Sequence, residues 1–302
     1  MPDALLPTPD PRAAARWARL TCTEAAAPWL HEEVARRMAE RLDFIRLPVR
    51  RWADWAPERG GPEGRARVAA HYPDAACWLV SPQAPQGQAA MKNKARGWPW
   101  ARRNRAAQTR VPPSALPPGS LNLVWANMLL HQVAAPAALL GQWREALADG
   151  GFLMFSCLGP DTLRELRALY QRHGWGEAAQ AFADMHDLGD LLAAAGFAEP
   201  VMDMERLTLH FASPERLLAE LRELGRNLHP SRFQGWRGRG WRAQLLRAMD
   251  QELRTGPGPA PLALTFELIY GHALKPPERM AVAARTEVSL AAMRRTLRPG
   301  RS

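Results

Sequence analysis

The feature that most constrains the fold is a strand–helix–strand unit between residues 121 and 167. Apolar residues nearly fill positions 121–126, which is typical of a strand buried on both faces. Pro136 then opens an apolar stripe at helical spacing, and a second apolar run follows at residues 152–158. Two strands joined by a crossover helix are parallel, and parallel sheets are covered by helices on both faces. The sequence therefore predicts a doubly wound α/β sheet.

Polar turns are predicted at the carboxyl ends of these two strands. Asn127 follows the first strand, and the sequence Gly-Pro-Asp-Thr follows the second at residues 159–162. Ligands of doubly wound sheets lie beyond the carboxyl ends of the strands, so these turns form the candidate site. A purely local explanation also exists for Asn127, because Asn is common in turns.

Capping residues predict where several helices begin and end. Gly150 stands where the crossover helix needs a left-handed residue, and Gly196 does the same for a short helix that precedes it. Asp187 is the predicted N-cap of that short helix. Thr162 and Glu165 have the spacing of a capping box, which is the favoured interpretation of both residues.

Charge is the one unusual feature of the composition. The chain of 302 residues has a formal net charge of +10, with basic residues concentrated at 92–110, at 232–254 and in the tail up to Arg301. A basic surface favours polyanions or acidic proteins as partners, although an ordinary solvated surface would explain it equally well. The sequence argues against nucleic acid, because it contains no zinc-finger, helix-turn-helix or RNP-like motif.

Other features indicate a cytoplasmic protein. No apolar run reaches about 18 residues, so we expect no membrane span. Residues 1–11 lack the basic start and the apolar segment of a signal peptide. Cys22, Cys77 and Cys157 lie far apart without metal-ligand spacing, and we interpret them as reduced cysteines. We therefore predict no metal site, and nothing in the sequence indicates an oligomeric state.

The order of the predicted elements suggests a single domain. We expect a disordered start at residues 1–11 and a domain at residues 12–276, with a helical insertion at about residues 212–255. Residues 277–302 are predicted to be a basic tail.

Several blocks of the sequence resemble the malonyl-[acyl-carrier protein] O-methyltransferases of biotin synthesis. The blocks are SLNLVWANMLLHQV at 120–133, REALADGGFLMFSCLGPDTLRELR at 144–167, DMHDLGDLLAAAGFAEPVMDMERLTL at 184–209 and TFELIYGHALKP at 265–276. The resemblance implies a Rossmann-like class I methyltransferase sheet of seven strands, the last one antiparallel. It also implies S-adenosylmethionine as cofactor and the free carboxylate of malonyl-acyl carrier protein as substrate. An acidic carrier protein would suit the basic surface.

The resemblance also identifies the cofactor positions, and these depart from the family pattern. The glycine-rich turn after the first strand corresponds to residues 54–60, in which Asp54 and Gly60 remain but Ala56 and Glu58 replace glycines. Leu79 stands where an acid is expected to bind the ribose hydroxyls. The acid expected near the adenine falls at about Pro112, and an Asp usual in the fourth strand is Asn122. We further expect Trp52 and Trp55 to fill the cofactor pocket. Asn127 is the remaining cofactor-facing position.

The candidate substrate positions are Thr162, Arg164 and His186, while no catalytic residue is identified. Methyl transfer to a carboxylate needs no separate base, because the nucleophile is already ionised. Three hypotheses remain open at this point. The chain is a methyltransferase with an altered pocket, or a non-catalytic binding or regulatory protein (a pseudoenzyme) of the same family, or a basic protein that binds nucleic acid.

Overall fold

The computed structural model of the protein describes residues 6–20, 27–82, 84, 108–257 and 260–277. Two α-helices precede the first strand, and further α-helices follow β1, β4, β5 and β6. The strands are β1 (Arg51–Trp55), β2 (Ala76–Val80), β3 (Gln108–Val111), β4 (Leu121–Ala126), β5 (Leu147–Leu158), β6 (Ala198–Phe211) and β7 (Leu262–Leu274). The helices are α1 (Pro11–Arg19), α2 (Trp29–Glu40), α3 (Pro57–Gly60), α4 (Pro62–His71), α5 (Pro136–Ala146), α6 (Arg164–Arg172), α7 (Met185–Ala194), α8 (Pro214–Leu224) and α9 (Arg239–Glu252).

The strands form one sheet in the order β3-β2-β1-β4-β5-β7-β6. Strands β1 to β5 pair in parallel, whereas β7 pairs antiparallel with both β5 and β6. The predicted unit of β4, α5 and β5 and the antiparallel last strand are both confirmed. The order of strands reverses between β1 and β4, and the carboxyl ends of these two strands define the crevice in which such sheets bind ligands.

Buried side chains form a hydrophobic layer on each face of the sheet. Trp52 belongs to the layer under α2 and α4, and Trp55 to the layer under α5. The Trp55 ring packs edge-to-face on Trp143 of α5, with ring centroids 6.0 Å apart. The prediction that Trp52 and Trp55 fill the cofactor pocket is therefore wrong. Side chains of a strand alternate between faces, and both rings are buried under helices instead.

Only some of the capping residues that we predicted from the sequence lie at the ends of helices. Helix α7 begins at Met185 and is capped by Asp184, whose carboxylate accepts a hydrogen bond from the backbone N–H of His186 at 2.8 Å. Asp187 is the third residue of the helix, so its assignment as N-cap is wrong. Gly196 has a φ of +83° and confirms the predicted left-handed residue after α7.

The predicted end of α5 at Gly150 is also wrong. Helix α5 ends at Ala146, and the chain passes directly into β5 at Leu147. Gly150 has a φ of +74° within the first part of β5, and its backbone N–H donates to the carbonyl of Lys275 at 2.9 Å. Gly150 therefore allows the strand to bend next to the end of β7.

The domain boundaries that we predicted from the sequence remain predictions. Residues 1–5 and 278–302 lie outside the described part of the chain. Asp10 caps α1 by accepting a hydrogen bond from the backbone N–H of Arg12 at 2.8 Å. Helices α8 and α9 lie within the predicted insertion at residues 212–255. In the described ranges, no helix is long and apolar enough to cross a membrane.

Candidate functional site

The crevice between β1 and β4 brings three of the predicted cofactor positions together. Asp54, the residue before the last of β1, lies next to Trp125 of β4, and Gly60 closes the turn that follows β1. A Cβ placed on Gly60 would lie 3.6 Å from the Cβ of Asn127 and 3.7 Å from an Oδ1 of Asp54. The sequence-based grouping of Asp54, Gly60 and Asn127 thus corresponds to one small region of the structure.

The side-chain amide of Asn127 forms hydrogen bonds with three surrounding residues. Its Nδ2 donates to the carbonyl of His31 at 2.8 Å and to the carbonyl of Gly60 at 2.6 Å. Its Oδ1 accepts a hydrogen bond from the Ser156 hydroxyl at 2.7 Å, and that hydroxyl accepts from the backbone N–H of Met128 at 3.0 Å. Asn127 therefore joins α2, the turn after β1 and β5 in one buried network.

Asp54 is paired within the protein. Its Oδ2 lies 3.2 Å from Nη1 of Arg65 on α4, and the two side chains are only 2% and 11% exposed. A carboxylate at the end of β1 is ordinarily the acid of the glycine-rich turn, as the resemblance implies for this position. Here Asp54 balances a buried guanidinium, which ties β1 to α4.

The turn after β1 is a short helix with two left-handed residues. Ala56 has a φ of +57°, residues 57–60 form the single turn α3, and Gly61 has a φ of +92°. The carboxylate of Glu58, a residue that replaces a glycine, forms an ion pair with Arg110 of β3. This ion pair spans the carboxyl ends of β1 and β3 across the end of β2.

The first turn of α4 is capped from α2. The carboxylate of Glu32 accepts a hydrogen bond from the backbone N–H of Glu63 at 3.1 Å. A Cβ placed on Gly61 would lie 2.5 Å from the same carboxylate. Burial raises the pKa of Glu32 above its usual value, while bonds from the backbone of Gly64 and Glu63 oppose the shift. The anion-binding end of α4 is therefore filled by a side chain of the protein itself.

Leu79, the position expected to hold an acid, is part of the core. It is 4% exposed and belongs to the layer that contains Trp52 and Trp125. In the sheet it lies beside Asp54 on one strand and Arg110 on the other. Pro112 is buried just after β3, and Asn122 accepts hydrogen bonds from the backbone N–H groups at the start of β1 at 3.0 and 3.1 Å.

A second region, beyond the carboxyl ends of β4 and β5, is open. A mainly apolar cleft of about 950 Å³ lies between α6, α8 and the segment before α7. Its walls include Trp17, Thr162, Leu166, Tyr170, Leu218 and Phe266. Arg222 and Arg226 line it as well, and both are exposed. The cleft offers apolar walls together with positive charge.

His131 and Gln132 form the inner wall of this cleft. Gln132 accepts a hydrogen bond from the indole N–H of Trp17 at 2.6 Å, which fastens α1 to the turn after β4. Burial lowers the pKa of His131 to about 3, and the nearby His31 adds to the shift. The imidazole of His131 is therefore neutral at physiological pH.

The structure separates the three predicted substrate positions. Thr162 lines the cleft but is fully buried, and its hydroxyl bonds to the backbone of Glu267. Arg164 lies on the surface within reach of Asp161 and Glu165, at 3.8 and 3.1 Å. His186 is exposed in the first turn of α7 and is not among the residues that line the cleft. Only Thr162 is found at this cleft.

Thr162 and Glu165 do not form the predicted capping box. Helix α6 begins at Arg164, and its preceding residue, Leu163, makes no side-chain cap. Instead, the Glu165 carboxylate accepts hydrogen bonds from the backbone N–H of Thr265 at 2.9 Å and from its hydroxyl at 2.6 Å. Both polar side chains therefore form hydrogen bonds with β7. These bonds fasten the segment at the mouth of the cleft to the sheet.

Two named relatives resemble the chain over nearly its whole length. The malonyl-[acyl-carrier protein] O-methyltransferase of Gallionella capsiferriformans (strain ES-2) is 36% identical over 261 residues, which cover 84% of this chain and 87% of the relative. The protein of the same name from Laribacter hongkongensis (strain HLHK9) is 35% identical over 281 residues, covering 90% and 91%. The chain belongs to the malonyl-[acyl-carrier protein] O-methyltransferase family. No family model matches it.

Solved structures support the fold of this family. The YcgJ protein from Bacillus subtilis superimposes with a TM-score of 0.51 at 9% identity, covering 80% of this chain and 98% of that one. A putative methyltransferase from Bacillus halodurans also gives a TM-score of 0.51, at 13% identity and with 80% and 99% coverage. The chain has the class I methyltransferase fold, which supports S-adenosylmethionine-dependent methylation in its family.

The residues at the positions that the resemblance assigns to the cofactor depart from the family pattern in the structure as well. Leu79, at the position where the resemblance implies an acid for the ribose hydroxyls, is a buried apolar side chain that cannot accept a hydrogen bond. The turn that should approach the cofactor closely carries the Glu58–Arg110 ion pair, and Glu32 occupies the N-terminus of α4. Each lost charge-assisted hydrogen bond removes about 1.5–3 kcal/mol of binding free energy. Side chains of the protein itself thus bind at the turn after β1 and at the N-terminus of α4, whereas a cleft is open beyond β4 and β5.

Sequence reasoning missed the residues that shape the open half. His131 and Gln132 follow Asn127 by four and five positions, and a polar pair within the apolar run Met128–Val133 was the available signal. Trp17 and Tyr170 reach the cleft from α1 and α6, which are distant in sequence. No local pattern indicates that these helices meet.

Proposed function

We propose that this member of the malonyl-[acyl-carrier protein] O-methyltransferase family binds an acyl carrier protein and its acyl group without transferring a methyl group. The observation that carries the proposal is the contrast between the two halves of the site. Glu32 caps the N-terminus of α4 and Glu58 pairs with Arg110 at the turn after β1, whereas the apolar cleft beyond β5 is open.

The cleft has the chemistry that a malonyl thioester requires. Apolar walls such as Leu166 and Phe266 favour the burial of the alkyl and thioester part of the arm. Arg222 and Arg226 carry the positive charge that suits the free malonyl carboxylate. His131 stays neutral, so it neither repels the arginines nor supplies a second charge.

Two binding measurements test the proposal. Calorimetry is expected to show micromolar binding of malonyl-acyl carrier protein and no binding of S-adenosylmethionine up to about millimolar concentration. The relative from Laribacter hongkongensis serves as the positive control for the cofactor. Binding of S-adenosylmethionine at low micromolar affinity, or methyl ester detected on the carrier protein by mass spectrometry, would contradict the proposal.

Engineered restoration of the cofactor side is a sharper test. The triple change Ala56→Gly, Glu58→Gly and Leu79→Asp returns two glycines and one acid to their family positions. A regained acid is expected to raise cofactor affinity by about 10- to 100-fold, since one such hydrogen bond contributes about 1.5–3 kcal/mol. The matched control keeps Leu79 and changes only Ala56 and Glu58. Equal and strong cofactor binding by the unaltered chain and the triple variant would reject a filled site.

The second candidate function is methyl transfer to malonyl-acyl carrier protein through an altered pocket. The observation that favours it is 36% identity to a named methyltransferase across 84% of the chain. Rescue of a strain that lacks the family's methyltransferase would support this function. Absence of rescue by well-expressed, folded protein would support the non-catalytic one.

A further inference from the structure

We infer that the segment from Arg226 to Arg242 is the docking surface for the acidic face of an acyl carrier protein. The inference rests on the proposed function and adds to it the place where the partner lies. We call this segment the arginine loop; it comprises the connection between α8 and α9 and the first residues of α9.

The charge of the arginine loop is one-sided. Residues 226–242 contain five arginines and no Asp or Glu. Arg226, Arg239 and Arg242 are exposed, and within the described residues none of the three forms an ion pair with an acid. Arg232 is the exception, because it pairs with Asp10 at 2.6 Å. The surface is electrostatically complementary to an acidic protein.

The arginine loop also exposes aromatic rings, which solvated surfaces rarely do. Trp236 is fully exposed, and Phe233 is 56% exposed. Both line an open cleft together with Trp175, Arg237 and Trp241. Exposed Trp residues ringed by Arg are typical of the residues that dominate protein–protein binding energy.

The backbone that presents these rings is held in place from below. The guanidinium of Arg237 lies 4.1 Å from the ring centre of Trp241 and 4.5 Å from that of Phe233. The same guanidinium donates a hydrogen bond to the carbonyl of Trp175 at 2.5 Å. Arg237 thus orders the loop, which lowers the entropy cost of docking.

The arginine loop adjoins the apolar cleft between α6 and α8, which we call the acyl cleft. Tyr170 lines the acyl cleft, and its ring packs on Trp175 and Trp241 with centroids 5.6 and 6.4 Å apart. Arg226 and Leu228 belong to both the loop and the wall of the acyl cleft. A carrier protein seated on the loop would therefore deliver its arm into the cleft next to it.

The position of the arginine loop next to the acyl cleft distinguishes between two acidic partners, a carrier protein and a nucleic acid. Single-stranded nucleic acid also binds surfaces with Arg and exposed Trp. A nucleic acid strand would leave the open apolar cleft of about 950 Å³ beside this surface empty, whereas an acylated arm would occupy it. The observations favour the carrier protein, and nucleic acid binding is an outcome of the test.

The test measures binding of malonylated carrier protein, and of carrier protein without its arm, to three variants of the full chain. Trp236→Ala and the double change Arg239→Glu/Arg242→Glu are each expected to weaken binding of both carrier forms by at least 10-fold. Leu218→Trp, which fills the acyl cleft, is expected to weaken only the malonylated form. The matched control is Arg46→Glu/Arg50→Glu, which makes the same change in charge at exposed positions before β1. It is expected to bind normally.

The outcomes distinguish the docking surface from the proposed function. Normal binding by Trp236→Ala and by Arg239→Glu/Arg242→Glu, with a loss for Leu218→Trp, would overturn the docking surface and leave the proposed function standing. No binding of either carrier form by the unaltered chain would overturn both. Binding of a single-stranded oligonucleotide that is lost with Trp236→Ala, in place of carrier binding, would assign the surface to nucleic acid.

Discussion

The carboxylate of Glu32 on α2 accepts a hydrogen bond from the backbone N–H of Glu63 in the first turn of α4. The two residues are 31 positions apart, and the contact closes the end of a helix that ligands of doubly wound sheets commonly use. The same contact links the helix before β1 to the helix after it. It therefore contributes to the stability of the fold and occupies the N-terminus of α4 at the same time.

Removal of this cap by Glu32→Ala is expected to lower the free energy of unfolding by about 0.5–2 kcal/mol, the range measured for lost N-caps. Urea unfolding followed by circular dichroism measures the change. Glu63→Ala, which keeps the backbone N–H and removes only an exposed side chain, is the control and is expected to have little effect. Equal stabilities of the two variants would show that the cap contributes nothing.

Ala56→Gly is expected to leave stability unchanged or to raise it by up to about 1 kcal/mol, because a left-handed conformation costs a non-glycine residue about 1–2 kcal/mol. Ala56 has a φ of +57°. The same substitution at Ala66, an exposed position inside α4, is expected to destabilise by about 1 kcal/mol. A larger loss at Ala56 than at Ala66 in thermal or urea unfolding would contradict the structure of the turn.

Asn127→Ala is expected to destabilise the protein by about 2–4 kcal/mol, because each buried partner left unsatisfied costs about 1–3 kcal/mol. The partners are the carbonyls of His31 and Gly60 and the hydroxyl of Ser156. Gln244→Ala on the exposed side of α9 is a control of similar chemistry and is expected to be near neutral. If Asn127→Ala destabilises the protein no more than Gln244→Ala does, the structural role of Asn127 is contradicted.

Gly64→Ala is expected to destabilise by about 1–3 kcal/mol through overpacking where α2 crosses α4. A Cβ on Gly64 would lie 2.4 Å from the Cβ of Ala35. The second change Ala35→Gly removes that atom, so the double variant is expected to recover part of the loss despite its own cost in α2. Strict additivity of the two single changes in a double-mutant cycle would argue against the contact.

Acid is expected to destabilise the protein between pH 6.5 and about pH 4. Burial lowers the pKa of His31 to about 4 and that of His131 to about 3, whereas an unfolded chain titrates near 6.5. The unfolded state binds more protons in this range, so the free energy of unfolding falls as pH falls, by an amount on the order of 3 kcal/mol for each of the two histidines. Urea unfolding at intervals from pH 7.5 to 4.5 measures the slope. His131→Gln is expected to flatten it, and an unchanged slope would exclude His131 as a source.

The sequence by itself determined the parts of this protein that depend on local periodicity. The unit of β4, α5 and β5 followed from apolar runs and a helical stripe, and the antiparallel β7 followed from the family blocks that include residues 265–276. The grouping of Asp54, Gly60 and Asn127 was also predictable, because parallel strands bring their carboxyl ends to one edge.

Only the tertiary structure decided what those residues do. Thr162 and Glu165 have the spacing of a cap, yet both bind β7 about a hundred positions later. Glu32 reaches α4, and Tyr170 stands between the acyl cleft and the arginine loop. The physical reason is the same in each case. A polar side chain bonds to whichever partner folding brings within about 3 Å, and that distance is unrelated to separation along the chain.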